Sequence, residues 1–163
     1  MATREIVCDS LCIARMTEHD LLEVVEIEVL SGISAWGWDA YHKELQSPQD
    51  VIMLVARSAA TGATGPPEKA IAGFIVSRLV AGELHINNVA VRSEFQRRGI
   101  ATQLLAAVLQ EGRRSGARFA FLEVRERNAA AQGLYSRCGF EVTGRRRRYY
   151  NTPRRRSFRR RTH

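Results

Sequence analysis

The chain has 163 residues, 45% of them apolar, and a formal net charge of +8. That is the length of one domain with material for a real core; no apolar run approaches the ~20 residues of a membrane-spanning helix, and the N-terminus lacks a signal-peptide pattern. Three cysteines, Cys8, Cys12 and Cys138, form no Cys-x-x-Cys pair, which argues against a disulfide framework or a metal site and for reduced thiols in a cytoplasm.

Read in order, Leu11 to Arg15 is a first strand. Thr17 with Asp20 is a capping signature, and Leu21, Leu22, Val25 and Val29 supply the apolar face of the helix it opens, which Ser31-Gly32 ends. Trp36-Gly37-Trp38-Asp39 reads as a loop running into a short helix near Ala40–Gln46, its tryptophans either a binding surface or buried anchors. Val51 to Arg57 is a second strand, and residues 59–69 are a loop of breakers. Ala70 to Leu79 and Glu83 to Arg92 read as antiparallel strands joined around Ala81-Gly82. A helix runs from Gly99 to about Ser115, and Ala117 to Val124 is apolar enough for a buried strand. Asn128 caps a helix that Gly139 stops after Cys138, and Phe140 to Val142 begins another strand. The order β-α-α-β-β-β-α-β-α-β implies an α/β fold, a mixed sheet with helices packed on it.

The charge is local. Ten of the 25 basic residues are arginines between positions 145 and 163, a stretch with no acid, and the other 15 face 17 acidic residues. The body is near neutral and the basic character belongs to the tail. Basic runs are solvated or bind phosphates nonspecifically. With only Phe158 among its last arginines, this one lacks the aromatic interleaving of a single-strand platform.

The most informative stretch is Val89 to Thr102, V-A-V-R-S-E-F-Q-R-R-G-I-A-T, a strand end turning into a helix. A helix start leaves backbone N–H groups without partners and carries partial positive charge. Gly99 lets an anion approach the backbone, and Arg97 and Arg98 add full charges. These features suit a pyrophosphate, although an ordinary β–α connection with solvated arginines reads the same way. Neither a Walker loop nor a Gly-x-Gly-x-x-Gly turn is present.

Gln96, Gly99 and Ala101 resemble the Q/R-x-x-G-x-G/A coenzyme loop of the GCN5-related N-acetyltransferases (GNAT). Further on, F-L-E-V-R-E-R-N at Phe121–Asn128, A-A-A-Q-G-L-Y-S-R-C-G-F to Phe140 and R-R-R-Y-Y to Tyr150 are similar to the bacterial RimI-type ribosomal-protein-alanine N-acetyltransferases. The resemblance implies a GNAT domain over residues 1–150, with acetyl-CoA held between splayed strands 4 and 5 and no metal. It implies main-chain contacts to the coenzyme from Val89, Ala90 and Val91, a pyrophosphate wrapped by Gln96, Arg97, Arg98, Gly99, Ile100, Ala101 and Thr102, and a contact from Asn128. Glu123 matches the family's general base and Tyr135 its general acid. On residues alone, Glu123 reads equally as a strand-end carboxylate paired with Arg125 or Arg127, and Tyr135 as a core aromatic. His85 reads as structural or substrate-facing, and Cys138 as a small buried residue.

The implied activity is Nα-acetylation of a protein N-terminus, a ribosomal protein among the candidates. A lysine or small-molecule amine is the alternative acceptor, and ribosome or RNA binding through the arginine tail the alternative function. Departures from the pattern are Gly133, where relatives usually carry alanine, and Ala101 in place of a second glycine. The largest comes at the end, where relatives continue through an acidic Glu-Asp-Ala into a last apolar strand. Here P-R-R-R-S-F-R-R-R-T-H has neither acids nor a strand period. Residues 151–163 are therefore expected to be a basic tail, disordered or foreign to the fold, either a frameshifted end or a real arm held near ribosomal RNA.

Overall fold

The computed structural model describes residues 11–33, 35–47, 49–58, 71–146 and 155–162. The expected breaker loop and the Tyr149–Tyr150 segment lie outside them. The elements are β1 (Leu11–Arg15), α1 (Leu21–Ser31), α2 (Gly37–Leu45), β2 (Val51–Ser58), β3 (Ile71–Val80), β4 (Glu83–Val91), α3 (Ile100–Arg114), β5 (Phe119–Arg125), α4 (Ala129–Arg137), β6 (Glu141–Arg146) and β7 (Arg155–Arg161). Seven strands form one sheet in the order β1-β2-β3-β4-β5-β7-β6. Every pairing is antiparallel except β4 with β5. The mixed sheet with packed helices is as the sequence implied.

Alternation along the strands gives each sheet face its own core. On one face Ile52, Leu54, Ile75, Leu84, Ile86 and Leu122 pack against Leu104, Leu105 and Val108 of α3 and Tyr135 of α4. On the other, Met53, Val55, Phe74 and Val76 pack against Leu21, Val24 and Ile27 of α1 and Tyr41 of α2.

Three expectations need correction. Of the expected face Leu21, Leu22, Val25 and Val29, Leu21 is buried and Val25 packs half-buried on the core, but Leu22 is 77% and Val29 69% exposed, and Val24, Ile27 and Glu28 take their places. L-L-E-V-V-E-I-E-V-L is apolar on nearly every side, so helical spacing fits two stripes, and contact with β3 and β4 selects the one containing Glu28. The Trp36–Asp39 segment is not all loop, because α2 already begins at Gly37; Trp36 stacks on Tyr41 and Trp38 on His42. And β5 is buried on one face only, with Ala120, Leu122 and Val124 inside and Glu123 and Arg125 exposed.

The largest correction concerns the tail. Residues 155–161 are neither disordered nor outside the domain. They form β7, inserted between β5 and β6 and paired with β5 from Phe119↔Arg161 to Arg125↔Arg155. Phe158 is 1% exposed and packs beside Tyr135, 6.2 Å between ring centres. Arg159 and Arg161 lie over the Phe119 ring on the opposite face, at 5.3 and 5.8 Å. Phe158 fills the inward position beside Tyr135, Arg160 on the same face is half-buried beside Gly139, and the stems of Arg159 and Arg161 cover the opposite face.

Phe158→Ala should therefore cost about 3–5 kcal/mol, as buried Phe→Ala changes do, measured by urea denaturation. Val142→Ala, on the paired strand but exposed, should stay within about 0.5 kcal/mol. Equal stability of Phe158→Ala and the unsubstituted protein would place the tail outside the fold after all.

Candidate active site

The site begins where two strands part. Along β3, Val76 pairs with Asn88 and Ser77 with Ile86, so Asn87 is one extra residue in β4. Such a bulge reverses the faces of all that follows. Leu84 and Ile86 face α3, whereas Ala90 belongs to the core under α1 and Asn88 bonds to Tyr41 of α2. The parallel pairing of β4 with β5 runs only from Glu83↔Phe119 to Ile86↔Leu122 and stops at the bulge. Beyond it a cavity of about 450 Å³ opens, walled by Asn87–Val89 of β4 and Leu122–Arg125 of β5, with Ser31–Ile33 after α1 and Asn128, Ala131 and Tyr135 of α4.

Backbone direction on the β4 wall follows from one bond. Arg92 N–H donates to Ala72 O at 2.8 Å, and alternation along an antiparallel ladder turns Ala90 toward β3 as well. Val89 and Val91 then direct their main-chain groups into the opening, where Val91 O accepts from Gln96 Nε2 at 3.3 Å. Of the three residues expected to offer backbone groups, Ala90 is the one that is turned away.

Glu123 and Tyr135 both line the cavity, from opposite faces of the sheet. Glu123 alternates with buried Leu122 and Val124, so its exposed carboxylate is on the α1 side. Tyr135 comes from α4 on the α3 side, 7% exposed and edge-on to Phe140 at 6.0 Å. Burial holds its phenol well above its ordinary range, and the nearby Cys138 thiol adds in the same direction. Asn128 caps α4, its Oδ1 accepting from Ala131 N–H at 3.1 Å, which leaves its amide N–H groups as donors for the cavity.

The expected anion loop precedes α3. The helix proper starts at Ile100, and Gly99 is its N-cap, left-handed at φ 75°. A β-carbon there would meet nothing within 4 Å, so open space adjoins the backbone. Arg97 is also left-handed, at φ 64°, an uncommon state for a residue with a side chain. The first-turn N–H groups of α3 thus adjoin open space, as helix starts that bind anions do. Arg98 lies over the Phe95 ring at 5.3 Å. His85 stacks on Phe121 at 5.5 Å and bonds to Glu83, clear of the cavity. Among the described residues no cluster of three His, Cys, Asp or Glu side chains could hold a metal ion.

Two buried charges escaped the sequence reading. Arg92 donates through Nε to Ile71 O at 2.8 Å and pairs with Glu23 and Glu26 of α1 at 3.4 and 3.5 Å. Glu28, 1% exposed, accepts from Trp36 N–H, from Gly37 N–H at 3.2 Å and from the Tyr41 hydroxyl at 3.0 Å. Asn88 Nδ2 donates to that hydroxyl at 2.9 Å. Burial pushes the Tyr41 phenol above its ordinary range; the Asn88 bond opposes this and the Glu28 carboxylate adds to it. Glu28 lies within the apolar run of α1 and Arg92 just past the end of β4, and neither gave a signal beyond being a polar residue beside apolar ones.

Residues 21–140 match the acetyltransferase (GNAT) family. The N-alpha-acetyltransferase RimI of Mycobacterium tuberculosis is 32% identical over 148 residues, 87% of this chain and 85% of that protein. The [ribosomal protein bS18]-alanine N-acetyltransferase of Salmonella typhimurium is 40% identical over 82 residues, which span 50% of this chain and 55% of that enzyme. The crystal structure of the ribosomal-protein-S18-alanine N-acetyltransferase from Escherichia coli superposes with a TM-score of 0.79 at 24% identity, covering 94% of each chain.

The raised phenol pKa values carry a stability signature. A phenol protonated more firmly in the folded state lends stability that is complete below the unfolded midpoint, near 10, and is lost as pH rises through the folded one. Tyr135→Phe should therefore flatten the fall in stability above about pH 10. Spectrophotometric titration at pH ~10, the ordinary midpoint, should show no tyrosinate assignable to Tyr135; a tyrosinate signal lost in Tyr135→Phe at that pH would contradict its burial.

Proposed function

This chain belongs to the GNAT acetyltransferase family, and on that premise we propose that it is an acetyl-CoA-dependent Nα-acetyltransferase whose acceptor is the N-terminal amine of a ribosomal protein. The observation that carries this reading is the gap between β4 and β5, with Glu123 reaching it from one face of the sheet and Tyr135 from the other. Relatives named for acetylating the alanine of ribosomal protein bS18 supply the acceptor.

The pantetheine arm carries amides that pair with the main-chain groups of Val89 and Val91, with Ala90 shaping the strand from its far edge. Gln96, Arg97, Arg98, Gly99, Ile100, Ala101 and Thr102 receive the pyrophosphate at the start of α3, and Asn128 adds a donor across the gap. The acceptor amine enters on the α1 side, past Ser31–Ile33. Glu123 takes a proton from the ammonium, directly or through water. The neutral amine nitrogen then bonds to the thioester carbon, the carbon–sulfur bond breaks, Tyr135 gives its proton to the departing sulfur, and the proton shed by the new amide nitrogen returns through water to the phenolate. An α-amine titrates near 7.7–8.0 against about 10.4 for lysine, so an exposed carboxylate is base enough for the first.

The burial that keeps Tyr135 protonated also makes a thiolate in the same gap more basic, because both charged forms are desolvated together. That matching lets a firmly held phenol proton reach sulfur. Outside the cleft, exposed Arg159 and Arg161 offer nonspecific affinity for RNA phosphates. No helix among the described residues is long and apolar enough to cross a membrane, and Cys12 and Cys138 are free thiols; both suit a cytoplasmic site of action.

The test is turnover of N-terminal peptides with acetyl-CoA, followed by thiol release. Saturation at 100 times Kd should add about 2.7 kcal/mol of stability. Tyr135→Phe should lower kcat by roughly 10²-fold or more and leave coenzyme affinity unchanged. Glu123→Gln should lose most activity at low pH, where more of the amine is protonated. Wild-type activity in both variants would remove the assigned roles, and absence of a thermal shift with acetyl-CoA would remove the coenzyme site.

A further inference from the structure

We propose that Glu28, Tyr41 and Asn88 form a positioning relay that locks the acceptor wall of the cleft to its coenzyme wall, and so sets how the acceptor amine is presented. The inference rests on the N-acetyltransferase reading above, and extends it to residues that touch no reacting atom.

The starting point is that a buried carboxylate is costly unless it is well satisfied. Position 28 falls on the stripe of α1 that also holds Leu21, Val24 and Ile27, and an apolar side chain would extend that core. Glu28 instead spends both oxygens on three donors: the main-chain N–H groups of Trp36 and Gly37 and the Tyr41 hydroxyl. No ion pair among the described residues reaches it. Its partners all come from the entry to α2 and the first turns of that helix. The carboxylate therefore fixes the path of the chain between α1 and α2. That connection begins with Ser31, Gly32 and Ile33, which wall the cavity on the side from which Glu123 is exposed.

The second half of the relay runs to the opposite wall. The Tyr41 hydroxyl donates to Glu28 and accepts from Asn88 Nδ2, in one continuous chain of bonds of 3.0 and 2.9 Å. Asn88 faces this way only because the Asn87 bulge reversed the strand, and Asn87, Asn88 and Val89 line the cavity on the β4 side. The bulge that separates β4 from β5 thus also supplies the link from β4 to the acceptor loop. Tyr41 is held by more than its hydroxyl: its ring stacks on Trp36 at 5.4 Å and meets Phe74 edge-on at 5.8 Å. Removing the oxygen alone leaves that packing in place.

The test compares Tyr41→Phe and Glu28→Gln with the unsubstituted enzyme, in assays well below every variant's melting temperature. KM for an N-terminal acceptor peptide is expected to rise about tenfold, the effect of losing a hydrogen bond to a charged group. The Kd for acetyl-CoA, read by thermal shift, is expected to rise by less than about threefold, since of the coenzyme contacts only Val89 borders the relay and the anion loop at Gly99 is not involved. A merely structural role would move both together or neither, and either result overturns the relay. Should the unsubstituted enzyme turn over no N-terminal peptide, the functional reading fails separately. Amide exchange then decides the relay: Tyr41→Phe should speed exchange at Trp36, Gly37 and Asn87–Val89, and unchanged exchange there overturns it.

Discussion

The structure depends on one interruption: a parallel strand pair that stops after Ile86 and Leu122. Two strands meant to continue side by side would close the gap with hydrogen bonds, because unpaired backbone groups are costly. Each is held on its outer edge, β4 by β3 and β5 by β7, so beyond the bulge each follows its own partner. Asn87 adds the residue that breaks register, and Arg92 ties the far end of β4 to α1 through Glu23 and Glu26. The result is a slot with two exposed backbone edges, which suits a ligand whose arm carries amides and could itself behave as a strand.

A slot through a sheet has two mouths, and Glu123 and Tyr135 reach it from opposite faces. The carboxylate is exposed, where its charge is solvated; the phenol is buried, where its neutral form is favoured.

Much of this could be read in the sequence. The glycine turn before α3, the capped helix at Asn128 and the strand carrying Glu123 announce themselves through local patterns that require no knowledge of distant contacts. What escaped were features decided by tertiary contact. The phase of α1 is ambiguous in an all-round apolar helix, and only packing against β3 and β4 selects the stripe that includes Glu28. The Asn87 bulge exists relative to β3, so no reading of β4 alone reveals it. The polar relay is invisible for the same reason: Glu28, Tyr41 and Asn88 are 13 and 47 residues apart along the chain. In β7 the usual rule fails outright, since arginines occupy the places where apolar residues advertise a strand.

That last case changes what the arginines are for. Phe158 is the buried apolar side chain β7 gives to the α4 face, beside Tyr135 and opposite Leu122. Freed from packing, the residues of the opposite face carry charge, and that is the face on which Glu123 is exposed. Ser157 stands opposite Glu123, Arg159 opposite Phe121 and Arg161 opposite Phe119, so the positive row begins one pair away from the carboxylate. Ser157, small and uncharged, stands next to Glu123, and Arg159 and Arg161 follow along the same face over the Phe119 ring. The strand that completes the core from one side thus carries these arginines on the other, within the sheet and not on an appendage.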